Sequence, residues 1–257
     1  MTTVTVVGLG EAGRLYATGL HDAGAGVSGY DPFVTLDDEG IHQFDQLSTA
    51  VAAADIVISL VGANAAAGVA DAALTHLDHD AVFADFNTGS PWAKAAIAGR
   101  AAEVGIRFAD IAVLAPVPRA GSATPLLASG TGAARASQLL TPLGVPIEAI
   151  SEIAGDAAGR KLQRSLFMKG LAGVVLESLA AGRAAGSEDW IRNQMADELG
   201  PNGPALVERL VTGSHAHAER RIHEVEDALE YVTELGTPGW MADGTLRWLA
   251  SLSKGQP

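Results

Sequence analysis

The 257 residues contain no cysteine, which excludes disulfides, thiolate metal sites and a cysteine nucleophile. Lysine is also scarce: Lys94, Lys161, Lys169 and Lys254 are the only four. Net charge is −13, so neither nucleic acid nor an anionic membrane surface is expected as a partner. Uninterrupted apolar runs approaching the roughly 18 residues of a spanning helix are missing, and no membrane partner is expected. Ala supplies much of the hydrophobic content of 48%, and with the 30 glycines this reads as tight packing. No basic, apolar, cleavable segment precedes the first apolar run, and a cytoplasmic location is the expectation. The absence of G-x-S-x-G leaves an α/β-hydrolase unsupported.

The most informative stretch is the first thirty-one residues. The apolar run Val4-Thr5-Val6-Val7 leads into Gly8-Leu9-Gly10-Glu11-Ala12-Gly13. A helical segment from Arg14 to Asp22, a glycine-rich turn and Val27-Ser28-Gly29-Tyr30-Asp31 follow. Strand, G-x-G-x-x-G, helix, strand and acidic residue stand in the order a dinucleotide site needs. Gly8 permits the tight turn, Gly10 lets backbone approach a pyrophosphate, and Gly13 lets the helix pack close to the sheet. Asp31 can accept hydrogen bonds from the adenine-ribose hydroxyls and would repel a 2′-phosphate. No Arg or Lys lies between Arg14 and Lys94 to offset that repulsion, so NAD is favoured over NADP. Alternatively, Asp31-Pro32 merely starts a turn.

Short strands and helices continue to alternate through the first half. Asp55 to Val61 reads as a strand covered on both faces, since its apolar run lacks alternation. Ala81–Phe86, Ile106–Ala112 and Leu126–Ser129 are further strands. Helices are expected over 48–53, 65–77, 91–104 and 131–140. This is a doubly wound parallel sheet of the Rossmann type, which binds ligands beyond the carboxyl ends of its strands. The loops after Val7, Asp31, Leu60 and Phe86 should therefore line a cofactor, with Leu60, Val61 and Asn87 among its contacts.

Beyond residue 155 no strand pattern appears. An α/β domain over 1–153 and an all-helical substrate and dimerisation domain over 154–257 are expected. Gly159 to Ala185 is a long helical run, apolar enough to be buried in a larger core or between subunits, and a homodimer is the expected assembly. Helices over 188–199, 204–235 and 241–252 complete the chain. Lys161, Arg164, Ser165 and Met168 share one helical face, which suits an anionic substrate group or else a solvated patch. Lys169 is expected to pair with Glu177 or a facing subunit. Lys94 falls on a helix of the first half, where its replacement should be near neutral. His215 and Glu219 should share a helical face, but no H-E-x-x-H spacing occurs and no metal is expected. Trp190, Trp240 and Trp248 read as core or interface anchors.

The whole pattern resembles the β-hydroxyacid dehydrogenases, which include 3-hydroxyisobutyrate dehydrogenase and 6-phosphogluconate dehydrogenase. Gly8 to Gly13 matches the family's cofactor motif. Asp85-Phe86-Asn87-Thr88-Gly89-Ser90-Pro91 is similar to its D-x-S-T-x-S-P stretch. Gly155-Asp156-Ala157-Ala158-Gly159-Arg160-Lys161 looks like G-x-G-x-x-x-K, with Ala157 replacing the second glycine, and Glu177 stands sixteen residues after Lys161 as the family has it. The resemblance implies that Lys161 is the general acid/base. Asp110 and Thr124 match the ends of the substrate loop, but Leu114-Ala115-Pro116 replaces S-G-G. Arg164-Ser165 replaces an Asn pair, and His223-Glu224 a K-D pair. Leu114, Ala115, Arg164, Ser165 and His223 are thus the candidate substrate contacts.

Together these readings point to an NAD(P)-dependent oxidoreductase acting on a small, anionic hydroxyacid or keto substrate. An imine reductase shares the architecture, although Lys161 counts against it. A dinucleotide-binding protein without turnover is the third reading.

Overall fold

The computed structural model describes residues 1–38 and 40–254. Eight strands form one sheet: β1 (Thr3–Val7), β2 (Gly26–Tyr30), β3 (His42–Gln43), β4 (Ile56–Ser59), β5 (Val82–Asp85), β6 (Arg107–Val113), β7 (Leu126–Ser129) and β8 (Ile147–Ser151). Their order is β3-β2-β1-β4-β5-β6-β7-β8, with chain direction from the centre reversing between β1 and β4. That reversal opens a crevice at the carboxyl ends of β1 and β4. Every pair is parallel except β6–β7, which is antiparallel. The sequence suggested a doubly wound parallel sheet, and all pairs but this one keep to it. The stretch between β6 and β7 contains only two 3₁₀ turns, Val117–Arg119 and Gly121–Ala123. It returns the chain as a hairpin loop rather than a crossover, so β7 runs backwards. β8 was not anticipated; it is an edge strand whose residues are all partly or fully exposed.

The helices of the sheet half are α1 (Glu11–Asp22), α2 (Leu47–Val51), α3 (Ala63–Leu74), α4 (Pro91–Glu103) and α5 (Ala133–Leu140). Two apolar clusters explain the missing alternation. Val4, Val6, Ile56, Ile58, Val82, Ala84, Ala109 and Ile111 pack with Tyr16, Leu20, Ala136 and Leu140 on one face. Val7, Val57, Phe83 and Phe108 point the other way, to Ala70, Ala73, Ile97 and Ala101. Successive residues serve opposite faces, and both faces are covered.

Helices α6 (Asp156–Ala184), α7 (Glu188–Glu198), α8 (Gly203–Ala216), α9 (Ala218–Glu234) and α10 (Trp240–Ser253) follow. The expected single helix over 204–235 is two, interrupted at His217 (φ −136°, ψ 34°). The compact units are Met1–Lys161 and Leu162–Pro257, so the division falls inside α6 rather than at the expected 153/154. By length and composition α6 could cross a membrane. Its later part instead carries Ala172, Val175 and Leu179 into a core with Val207 and Leu210. A second core in that unit gathers Val225, Ala242 and Leu249, with Leu166 against it.

Candidate active site

The turn between β1 and α1 has the geometry its glycines suggest. Gly8 sits at φ +94°, and a Cβ there would lie 2.5 Å from the Leu60 carbonyl oxygen. A Cβ on Gly13 would lie 1.8 Å from the Gly8 carbonyl oxygen, so α1 and the turn require a bare backbone at both places. Gly10 is different: among the described residues nothing stands within 4 Å of where its Cβ would be. Gly10 is also the N-cap of α1 and offers no side-chain cap to the first-turn amides. Uncapped amides with the positive helix end behind them form an anion cradle that suits a pyrophosphate. Leu9 is buried beneath the turn, Glu11 is exposed, and Leu60 and Val61 are half-buried beside it.

Asp31 closes β2 at the same edge. Its Oδ2 accepts from the Leu9 amide at 2.7 Å, and its Oδ1 accepts from Phe33 N at 2.8 Å and Val34 N at 3.0 Å. Asp31 thus starts a turn as well as facing the crevice. The backbone fixes its orientation and occupies three of about four acceptor positions, leaving one on Oδ2 for a ligand hydroxyl.

A buried polar row crosses the sheet next to this cradle. Ser59, Asp85, Asp110 and Ser129 are register partners on adjacent strands β4 to β7. Lys94 of α4, 2% exposed, rises into the row. Its Nζ lies 2.9 Å from Asp85 Oδ2 and 3.6 Å from Asp110 Oδ1, and donates to the main-chain oxygens of Asp85 and Asn87 at 2.9 and 2.7 Å. Asn87 donates to Ser59 Oγ (3.0 Å) and Asp85 Oδ1 (2.7 Å), while its Oδ1 accepts from Gly62 N (2.7 Å) at the start of α3. The expectation that Lys94 could be replaced at little cost is therefore corrected: it is the buried counter-ion of two carboxylates.

Lys161 stands on α6, half-buried, with Nζ 3.4 Å from Thr88 Oγ1 on the loop after β5. The first turn of α6 is pinned beneath it. Asp110 Oδ2 accepts from Gly155 N (3.2 Å) and Ala158 N (3.0 Å), and Ser129 Oγ accepts from Ala157 N (3.0 Å). Gly155 has φ +103°, and a Cβ there would lie 2.7 Å from the Pro91 carbonyl oxygen. The fixed end of α6 thus meets the start of α4, whose N-cap Ser90 accepts from Ala93 N.

Leu114 and Ala115 are half-buried in the loop after β6, where Leu114 N donates to Pro125 O at 3.0 Å. In the helical unit Arg164 is exposed, Ser165 half-buried, and the exposed His223 lies 3.1 Å from Glu226. Lys169 pairs with Glu224 at 2.6 Å, not with Glu177, which accepts from Trp248 Nε1 at 2.7 Å. His215 and Glu219 lie on different helices because of the break at His217, so the face expected to join them does not exist. Trp190 and Trp240 are 63% and 79% exposed and are not core anchors. Lys94 and Ser129 were missed by sequence reasoning. The available signal was polar residues ending three apolar strands and one inside a fourth, with one lysine three positions after Pro91.

Two family descriptions match the chain. The NAD binding domain of 6-phosphogluconate dehydrogenase matches residues 3–148, and a domain of unknown function (DUF1932) matches residues 183–252. A conserved hypothetical protein from Sinorhizobium meliloti 1021 is 30% identical, with TM-score 0.83 over 98% of this chain and 88% of that one. A 3-hydroxyisobutyrate dehydrogenase from Mycobacterium tuberculosis, solved with L-serine, has TM-score 0.82 at 20% identity, covering 99% and 94%. An imine reductase from Myxococcus stipitatus, solved with NAD+, has TM-score 0.70 at 20% identity, covering 99% and 95%.

Proposed function

The chain belongs to the 6-phosphogluconate dehydrogenase-like β-hydroxyacid dehydrogenases and binds NAD(P), and from that premise we propose that it interconverts a small, anionic hydroxyacid and its keto form with Lys161 as general acid/base. The observation that carries this reading is the position of the Lys161 ammonium against Thr88, at the carboxyl edge that also holds the glycine cradle and Asp31. The residues fit a dinucleotide: an unobstructed Gly10 at an uncapped helix N-terminus for the phosphates, and one free acceptor position on Asp31 for the ribose. When bound, the nicotinamide supplies or accepts hydride at the substrate carbon. In the oxidative direction Lys161 Nζ takes the hydroxyl proton; in the reductive direction it returns a proton to the carbonyl oxygen. A guanidinium could not exchange its proton in this way near neutral pH. The Asp31 carboxylate supports NAD over NADP, because a 2′-phosphate would meet a fixed negative charge.

Leu114, Ala115, Arg164, Ser165 and His223 are proposed as substrate contacts, and their departures from the family's pattern point away from its familiar short hydroxyacids. A cytoplasmic homodimer is proposed. The exposed Phe167 and Val174, seven residues apart on one face of α6, support that assembly, which light scattering reads directly.

The imine reductase likeness keeps one second reading in view, reduction of a cyclic C=N bond. Turnover decides between them: hydroxyacids with NAD+, and keto acids and cyclic imines with NADH. Hydroxyacid or keto-acid turnover supports the proposal, while turnover of imines alone replaces it with the second reading. Tight NADH binding with no turnover across all three classes leaves a dinucleotide-binding protein.

A further inference from the structure

The polar row beneath the cradle is too deep to meet a substrate, yet it is connected at both ends to parts that do. Asp85 and Asp110 are side by side on β5 and β6, 1% and 0% exposed. Two ionised carboxylates so placed repel each other, and removing them from water is costly. Lys94 is the cation that reconciles them. Apart from that ion pair, Asp85 Oδ2 and Asp110 Oδ1 have no hydrogen-bond partner among the described residues. The remaining oxygens point outward along the row. Asp85 Oδ1 holds Asn87, and Asn87 holds Gly62 N at the start of α3. Asp110 Oδ2 holds the amides of Gly155 and Ala158 in the first turn of α6. The Lys94 ammonium also grips the Asn87 carbonyl, one residue before Thr88. Thr88 and Lys161, the two ends of the 3.4 Å contact, are thus both fixed from below through the same ammonium.

We propose that Lys94 is a positioning residue: by bridging Asp85 and Asp110 it sets the loop carrying Thr88 and the first turn of α6 in one arrangement, and so fixes where the Lys161 ammonium stands. The proposal rests on the catalytic reading of Lys161 only for its consequence in turnover, not for the placement itself. The nearest bland account is that Lys94 neutralises buried charge and contributes stability alone. The two differ at Lys161. Loss of the bridge lets the Asp110 arm relax, because a carboxylate deprived of its cation either takes up a proton or moves away from its neighbour.

Only four lysines occur, so protein labelled with 13C at lysine Cε gives four signals, each assignable by substitution. Lys94→Met keeps the side-chain volume and removes the charge. The Lys161 signal of the free protein is expected to move, while those of Lys169 and Lys254 stay in place. Amide exchange at Gly155 and Ala158 should quicken, NADH affinity should hold, and kcat on the substrate found by the turnover panel should fall by about a hundredfold, as a misplacement near 1 Å can produce. Asp110→Ala leaves Lys94 on Asp85 and removes the oxygen that holds the Gly155 and Ala158 amides; it should move the same Lys161 signal, and it decides the matter if Lys94→Met does not fold. An unmoved Lys161 signal in the folded variants overturns the positioning role, whatever happens to turnover. A moved signal with full turnover upholds the positioning and overturns the catalytic role of Lys161.

Discussion

Lys94 and Lys169 each pair with a carboxylate, and the contrast between them separates the two units of this chain. The Lys94 side chain is 3% exposed and Asp85 2%, and the pair is embedded in a row of buried polar groups. Lys169 and Glu224 are 20% and 37% exposed, and Arg220 also approaches the same carboxylate. In the α/β unit, charge is taken inside and used to hold loops and a helix end. In the helical unit the Lys169–Glu224 pair stays nearer the surface, while apolar residues supply the core. A buried pair broken on one side leaves an uncompensated charge; a surface pair broken on one side is rehydrated. The first unit therefore has fixed geometry where cofactor chemistry needs it, whereas the second can vary its surface charges at little cost.

Replacement of the two lysines sharpens this contrast most. Lys94→Ala should lower unfolding free energy by about 3–5 kcal/mol, and Lys169→Ala by no more than about 1 kcal/mol. Urea unfolding of both variants measures the difference; equal losses would break the comparison. Next in size is cofactor choice. NADH should bind more tightly than NADPH. Asp31→Ser with Pro32→Arg should shift that ratio by about tenfold, or about 1.4 kcal/mol, in a fluorescence titration. A wild-type preference for NADPH would remove Asp31 from the account.

The smallest effect is at the other end of β1. The Thr3 amide donates to Asp55 Oδ2 at 2.7 Å, and this bond, more than the Thr3 hydroxyl, holds the Asp55 carboxyl below its ordinary range. A carboxyl depressed in the folded state contributes stability above its unfolded value and loses it as pH falls through the folded one. The gap in melting temperature between wild type and Asp55→Asn should therefore be present at pH 7 and disappear on acidification below about pH 4. A gap that persists in acid would mean that shape, not charge, supplies what Asp55 contributes.

The α/β unit was largely legible in the sequence because its constraints are local. Gly8, Gly10 and Gly13 each answer a backbone demand within a few residues, and β4 and β5 are short apolar runs with no other reading. The antiparallel β7 was not legible, since the direction of a strand depends on how the preceding loop returns. Nor was the role of Lys94. One lysine on a helix gives no sign of burial until Asp85 and Asp110, nine residues before it and sixteen after it, are brought into register by the sheet. In the helical unit, amphipathic spacing identified helices but not the break at His217. No glycine or proline marks that break; a half-buried Arg221 donating to Ser214 Oγ at 2.6 Å and to Leu210 O fastens α9 to α8 across it. The exposure of Trp190 and Trp240 likewise depends on which helix faces find partners, which residue type does not reveal.

The claim on which the account turns is that Lys161 moves a proton while the rest of the α/β unit holds the cofactor. It is tested most directly by measuring NADH affinity and turnover together on Lys161→Ala and Lys161→Arg, with the substrate that the wild-type protein selects from hydroxyacids, keto acids and cyclic imines. The account predicts NADH affinity close to wild type in both variants, because Gly8 to Gly13 and Asp31 are untouched. It predicts a fall in turnover of about 10²- to 10⁴-fold in Lys161→Ala, not recovered by Lys161→Arg. Retention of most of the activity in Lys161→Ala would contradict it and leave Lys161 as a structural cation beside Thr88.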